Sequence, residues 1–162
     1  MMNRKRISKR STRAGFTLIE AVVGIVLVAV AVLGLVEIFT LSVMNNQRSD
    51  RITTAAFLAQ QRTDALRNLT KDELNTLAST GSIDLNGDGA PDMLNDELLD
   101  LNLDGHNDFR RLTQVTLVGP TSWSTQILIF TPEQFGVARG QLLASPDLHR
   151  VKANLSTVIS RG

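Results

Sequence analysis

The hydrophobic rhythm of the chain changes twice. Residues 18–36 read LIEAVVGIVLVAVAVLGLV, nineteen positions of which only Glu20 is charged. They make about 28 Å of helix, close to the thickness of a bilayer's hydrocarbon core, and IFTL beyond Glu37 prolongs the run. The apolar positions then become periodic. Ile52, Ala56, Ala59, Thr63 and Leu66 step by four, three, four and three. Ala55 and Leu69 widen that stripe, and Arg51, Gln60, Gln61, Arg62, Asp64 and Arg67 are its polar neighbours. This predicts an amphipathic helix with one face on a core. No proline falls between Phe16 and Leu69, so one helix of about 81 Å is expected, loosened locally at Asn45 and Asn46. In the last third the period drops towards two. Residues 112–118 (LTQVTLV), 123–130 (WSTQILIF) and 150–160 (RVKANLSTVIS) predict three antiparallel strands, the first two joined across Gly119-Pro120. Trp123 is expected in the core or at a strand edge. Pro132, Gly136, Gly140 and Pro146 punctuate residues 132–149, which are expected to be mostly loop.

The whole chain of 162 residues carries a net charge of +1, but the charges are segregated. Residues 1–15 hold six of the seventeen Lys and Arg and no acid, leaving eleven bases against sixteen acids in residues 16–162, a net of −5. A basic segment before a long apolar run places the N-terminus in the cytoplasm and the rest beyond the cytoplasmic membrane. The acidic body lacks the basic face that nucleic acid requires, so no nucleic-acid partner is expected. The chain has no Cys, which removes disulfides, thiolate metal sites and a Cys nucleophile. Two His and no Tyr leave few groups for acid–base work, and no motif links a nucleophile to a base; an enzyme is not expected. His106 and His149 are isolated in sequence.

A cleaved secretory signal would end its apolar region after 7–15 residues at a small-residue site. This run is longer and ends in Val36-Glu37-Ile38-Phe39. Glu20, two residues into the run, is costly unless it has a partner, so an ionisable group there marks function. The junction reads Arg13-Ala14-Gly15-Phe16-Thr17-Leu18-Ile19-Glu20. It resembles the class III signal of type IV prepilins and pseudopilins, a basic leader ending in Gly followed by Phe-Thr-Leu-Ile-Glu. The resemblance implies an α+β, type IV pilin-like fold, with a long N-terminal helix packed on a small antiparallel sheet. It implies a cytoplasmic leader, residues 1–15, cut after Gly15 by a prepilin peptidase that also methylates the Phe16 amine. It implies that Glu20 pairs with the Phe16 amine of a neighbouring subunit. The partners implied are the peptidase, other pilin or pseudopilin subunits, an inner-membrane assembly platform and the lipid bilayer. Residues 16–44 would be the membrane half of the helix, 45–69 its amphipathic half and 70–162 the head. The run TTAAFLAQQRTDALRNL resembles minor pilins of the PilV type and minor pseudopilins of type II secretion. The absent Cys departs from the disulfide-closed loop of major pilins.

Two segments of the middle align at an offset of 16, DLNGDGAPD at 84–92 and DLNLDGHND at 100–108. Asp84, Asn86, Asp88 and Asp92 match Asp100, Asn102, Asp104 and Asp108. The spacing matches positions 1, 3, 5, 6 and 9 of an EF-hand loop, whose hard oxygens suit Ca²⁺. Position 12, where a bidentate Glu belongs, holds Asn95 and Arg111; Asp96 or Glu97 are candidate substitutes in the first loop. Ca²⁺ is therefore the expected cofactor, in a structural role, against a plain cluster of Asn-Gly and Asp-Gly turns. Two function classes follow. The first is a filament subunit, either a minor pilin in the inner membrane and then the pilus, or a type II secretion pseudopilin. The second is a calcium-dependent binding module held on an uncleaved single-span anchor.

Overall fold

The computed structural model describes residues 16–161. The chain divides into two compact units, one ending at Asn45 and the other beginning at Asn46. The fold is α+β, as the type IV pilin-like reading expects. Helix α1 (Leu18–Asn68) is continuous through Asn45 and Asn46, so the expected loosening there is not seen. A short connection leads to α2 (Lys71–Thr80). Strands β1 (Ser82–Ile83) and β2 (Met93–Leu94) form a two-stranded antiparallel ribbon. Strands β3 (Asp96–Leu99), β4 (Phe109–Gly119), β5 (Ser122–Phe130) and β6 (Ala153–Ser160) form an antiparallel sheet in that order. A 3-10 turn (Pro132–Gln134) and helix α3 (Arg139–Ala144) lie between β5 and β6.

The alternation along β4 and β5 sorts the sheet into two buried faces. Phe109, Val115, Trp123, Ile127 and Ile129 point one way, into a cluster with Ala55, Leu58, Ala59 and Leu66 of α1 and Leu74 and Leu77 of α2. Leu112, Leu128 and Phe130 point the other way and meet Leu142 of α3, with Val137, Leu143 and Val151 beside it. Trp123 is fully buried in the first cluster, its indole N–H donating to Asn75 Oδ1 at 3.0 Å.

The structure departs from the residue pattern at three further places. The buried face of α1 is Ala55, Leu58, Ala59, Arg62, Thr63 and Leu66, while Ile52 and Ala56 are exposed. The face is rotated because Arg62 turns inward to polar partners on the sheet, which a stripe of apolar positions does not register. Thr63 is tolerated inside because its hydroxyl donates to the Ala59 carbonyl at 2.9 Å. Helix α2 was not anticipated, although Thr70-Lys71-Asp72-Glu73 is a capping box whose Thr70 hydroxyl and Glu73 carboxylate each satisfy a backbone N–H. Gly81 ends it at φ +80, and its N–H returns to the Leu77 carbonyl. The segment after β5 is more ordered than a loop, because Leu142 and its neighbours cover the second face of the sheet.

Candidate functional site: the start of the apolar helix and the paired acidic hairpins

Gly15 lies outside the described residues. Phe16 and Thr17 precede α1, and Phe16 is 81% exposed. Thr17 opens the helix: its carbonyl accepts from the N–H groups of Glu20 and Ala21 at 3.1 and 3.2 Å, and its hydroxyl accepts from Glu20 N–H at 3.3 Å. Thr17 and Glu20 thus occupy the two ends of a capping-box spacing, of which this is the Thr half. Among the described residues no ion pair includes Glu20. The helix start also favours a carboxylate, because unpaired backbone N–H groups concentrate partial positive charge there. Every residue from Phe16 to Thr53 is exposed. Helix α1 is long and apolar enough to cross a membrane. An all-round apolar surface of this kind calls for lipid or for other helices.

The two acidic segments are hairpin loops of one design. Residues 84–92 join β1 to β2, with Ile83 opposite Met93; residues 100–108 join β3 to β4, with Leu99 opposite Phe109. Asp92 N–H closes the first on the Ile83 carbonyl at 2.9 Å, and Asp108 N–H closes the second on the Leu99 carbonyl at 2.7 Å. Asp84 accepts from the N–H groups of Gly87 and Gly89 at 2.7 and 2.8 Å; Asp100 accepts from Leu103 and Gly105, both at 2.8 Å. Asn86 Oδ1 accepts from Asp88 N–H at 3.0 Å, and Asn102 Oδ1 from Asp104 N–H at 3.1 Å. Asp92 and Asp108 each reach back to the N–H seven residues earlier, Leu85 at 2.6 Å and Leu101 at 3.0 Å. The repeat seen in sequence is therefore repeated in these bonds, and Asn86 N–H adds one to Asp92 Oδ2 at 3.2 Å that the second loop lacks. One position departs: Leu103 takes φ +58 where the first loop has Gly87 at +75. A left-handed leucine costs about 1–2 kcal/mol, and this one is 88% exposed.

The substitutes suggested for position 12 are committed elsewhere. Asp96 is held by Arg110, Nε to Oδ1 at 2.8 Å, and Arg110 Nη1 reaches the Val137 carbonyl at 2.7 Å. Glu97 receives Arg62 Nη2 at 3.2 Å and Arg111 Nη2. Asn95 Nδ2 donates to the Leu77 carbonyl at 3.3 Å. His106 contributes its backbone N–H to Asp104 Oδ1 at 2.8 Å, while His149 Nδ1 lies 3.2 Å from Gln134 Oε1. Sequence reasoning passed over the Arg62–Glu97–Arg111 cluster, which ties α1 to β3 and β4. Arg62 also donates to Thr113 Oγ1 at 3.2 Å and to the Leu94 carbonyl at 2.7 Å. Burial pushes its guanidinium down to about 10, against the attraction of Glu97.

Backbone N–H groups of Gly89 and Gly87 hold the Asp84 carboxyl below its usual range, and the Thr70 backbone N–H and hydroxyl do the same for Glu73. Both groups stay ionised more firmly in the folded than in the unfolded chain. They therefore add stability at neutral pH that is kept above their unfolded values and lost as pH falls through the lower folded ones. The melting temperature of the purified chain is expected to be level between about pH 7 and 5 and to fall below about pH 4. A melting temperature that rises over that last interval would contradict these assignments.

No curated protein and no solved structure matches the chain. Residues 10–36 match the family model described as the prokaryotic N-terminal methylation motif. The match spans the last bases of the N-terminal segment, the Gly15-Phe16 junction, Glu20 and the apolar run to Val36. This motif, at the head of an exposed apolar helix, supports a pilin-like subunit of a pilus or pseudopilus, a structural role that implies a prepilin peptidase and other pilin subunits as its partners.

Proposed function

We propose that the chain is a minor structural subunit of a type IV pilus or a related filament. A prepilin peptidase removes residues 1–15 after Gly15 and methylates the Phe16 amine. The subunit sits in the inner membrane with its N-terminus cytoplasmic and its head outside, and an assembly platform draws it into the filament. Glu20 pairs with the Phe16 amine of a neighbour. The observation that supports this most is Glu20, the one acid of the matched motif, three residues into an exposed apolar helix. Buried ion pairs contribute little net stability, but an incoming subunit at the wrong height leaves a charge unpaired, which fixes register. Co-expression with a prepilin peptidase is expected to shorten the wild-type chain and leave Gly15→Val uncut. Equal cutting of both would contradict the proposal.

For the acidic hairpins we propose weak Ca²⁺ binding. Among the described residues no group of three or more Asp, Glu or His side chains stands ready to hold a metal. The support is donor chemistry: each loop fixes three carboxylates and one amide oxygen by backbone N–H bonds, and the carboxylates and the amide keep oxygen lone pairs that those bonds do not use, although Asp92 Oδ2 accepts two of them. Without a bidentate ligand at position 12, the affinity expected is about 10⁻⁴–10⁻³ M, adequate outside the cell. Ca²⁺ at tenfold its Kd adds about 1.4 kcal/mol of stability per site. A thermal melt of the purified chain is expected to shift upward in millimolar Ca²⁺, and Asp84→Asn with Asp100→Asn to abolish the shift. No shift in the wild type would dismiss the metal.

A further inference from the structure

The sheet is incomplete along β4. Strand β3 pairs with β4 only from Phe109 to Leu112, and one further bond runs from Thr113 N–H to the Asn95 carbonyl at 2.9 Å. There the chain turns away, Asn95 N–H donating to the Gly81 carbonyl at 2.8 Å. On its other side β4 remains paired with β5 in regular register as far as Leu117, and again at Gly119 after a shift. In an antiparallel strand a residue's N–H and C=O point the same way and alternate along the chain. Since Thr113 faces the β3 side, Val115 and Leu117 do so too, beyond the end of β3. The Arg139 guanidinium covers the Thr113 carbonyl on that side at 3.1 Å. A groove of about 630 Å³ runs along this stretch. Asn75, Ala78 and Ser79 of α2 wall it on one face of the sheet, and Arg139 at the start of α3 walls it on the other. Asn95 Oδ1 and Arg139 Nε, on residues lining the groove, are buried without a hydrogen-bond partner.

We propose that this groove receives an extended segment of a partner protein, which adds as a strand to the Val115–Leu117 edge in line with β3 and presents a carboxylate to Arg139. The N–H and C=O of Val115 and the N–H of Leu117 supply the backbone pairing, as in other strand additions to a sheet edge. Native proteins usually blunt such an edge with charge, proline or a covering element; here α2 and Arg139 flank it and leave a channel. The carboxylate follows from charge. Arg139 is the one charged residue lining the groove, and among the described residues it forms no ion pair. A second copy of this chain is disfavoured as the occupant, because residues 46–162 hold eleven Lys and Arg against fourteen Asp and Glu, a net of −3, and two such heads repel. This inference stands on the head alone and does not depend on the processing of the N-terminus or on Ca²⁺.

The test uses the full-length chain in detergent micelles. The probe is a synthetic eight-residue peptide of alternating Thr and Val with one central Glu, together with its Gln analogue and a form N-methylated at alternate amides. Amide hydrogen exchange is expected to slow at least tenfold at Val115 and Leu117 with the Glu peptide and to stay unchanged with the N-methylated form. The Gln peptide is expected to bind several-fold more weakly. Arg139→Ala should remove that difference, and if the variant does not fold, the comparison of the Glu and Gln peptides on the wild type carries the charge claim alone. No protection at millimolar peptide, equal binding of the N-methylated form, or equal binding of the Glu and Gln peptides would each overturn the proposal. So would protection of these amides that rises with protein concentration in the absence of peptide, which would make a second copy the occupant.

Discussion

Glu97→Ala is expected to destabilise the unit that begins at Asn46 by about 3–5 kcal/mol, the typical cost of removing one partner from a buried ion pair. Glu97 accepts from two guanidinium groups and from Leu94 N–H at 2.8 Å. The side chains of Arg62 and Arg111 are only 3% and 12% exposed. Without Glu97 two like charges face each other in a setting that already pushes Arg62 down to about 10. Water cannot screen them well. Domain stabilities run from about 5 to 15 kcal/mol, so the loss is a large fraction of the total. In thermal denaturation it corresponds to a drop of roughly 10–20 °C. The contrast is Asp64→Ala, which removes a pair to Arg67 whose side chains are 70% and 57% exposed. That change is expected to stay within about 0.5 kcal/mol of wild type. A Glu97→Ala melting temperature indistinguishable from that of Asp64→Ala would contradict the buried network.

Glu20→Ala is the second large effect, and it falls on assembly rather than folding. Glu20 is exposed in the single chain and belongs to the unit that ends at Asn45. Its removal takes no contact from the sheet or from either buried cluster, so the melting temperature of the head is expected to be unchanged. In the proposed filament it leaves a neighbour's Phe16 amine unpaired among apolar helices. At about 3–5 kcal/mol per broken buried pair, incorporation into filaments should fall about a hundredfold or more. Immunoblots of sheared filaments against cell membranes would measure it. Membrane levels equal to wild type with filament levels near zero is the expected pattern; normal incorporation would remove Glu20 from the assembly mechanism.

Much of the fold is legible in the residue pattern, and what is not has physical reasons. Helix α1 follows from an unbroken apolar run and the absence of proline before Leu69. Strands β4, β5 and β6 follow from alternation, which one buried face enforces and which survives even where both faces are covered. The acidic hairpins follow from a repeat whose Asp and Asn side chains bond their own loops, so local sequence is enough. Strand β3 has only four residues, with both its acids spent on arginines of β4, and such a strand exists only through its neighbour. Arg62 reads as a solvent-facing base because its partners lie 32 to 51 residues away in sequence. The open edge of β4 depends on where β3 stops, a tertiary fact no local pattern records.

The motif at residues 10–36 is expected to be cut and methylated. The most direct measurement is the intact mass of the protein purified from membranes of its own host. The expected result is a chain that begins at Phe16 and is heavier by one methyl group. A full-length chain beginning at Met1 or Met2 would contradict the account and leave a head held on an uncleaved single-span anchor.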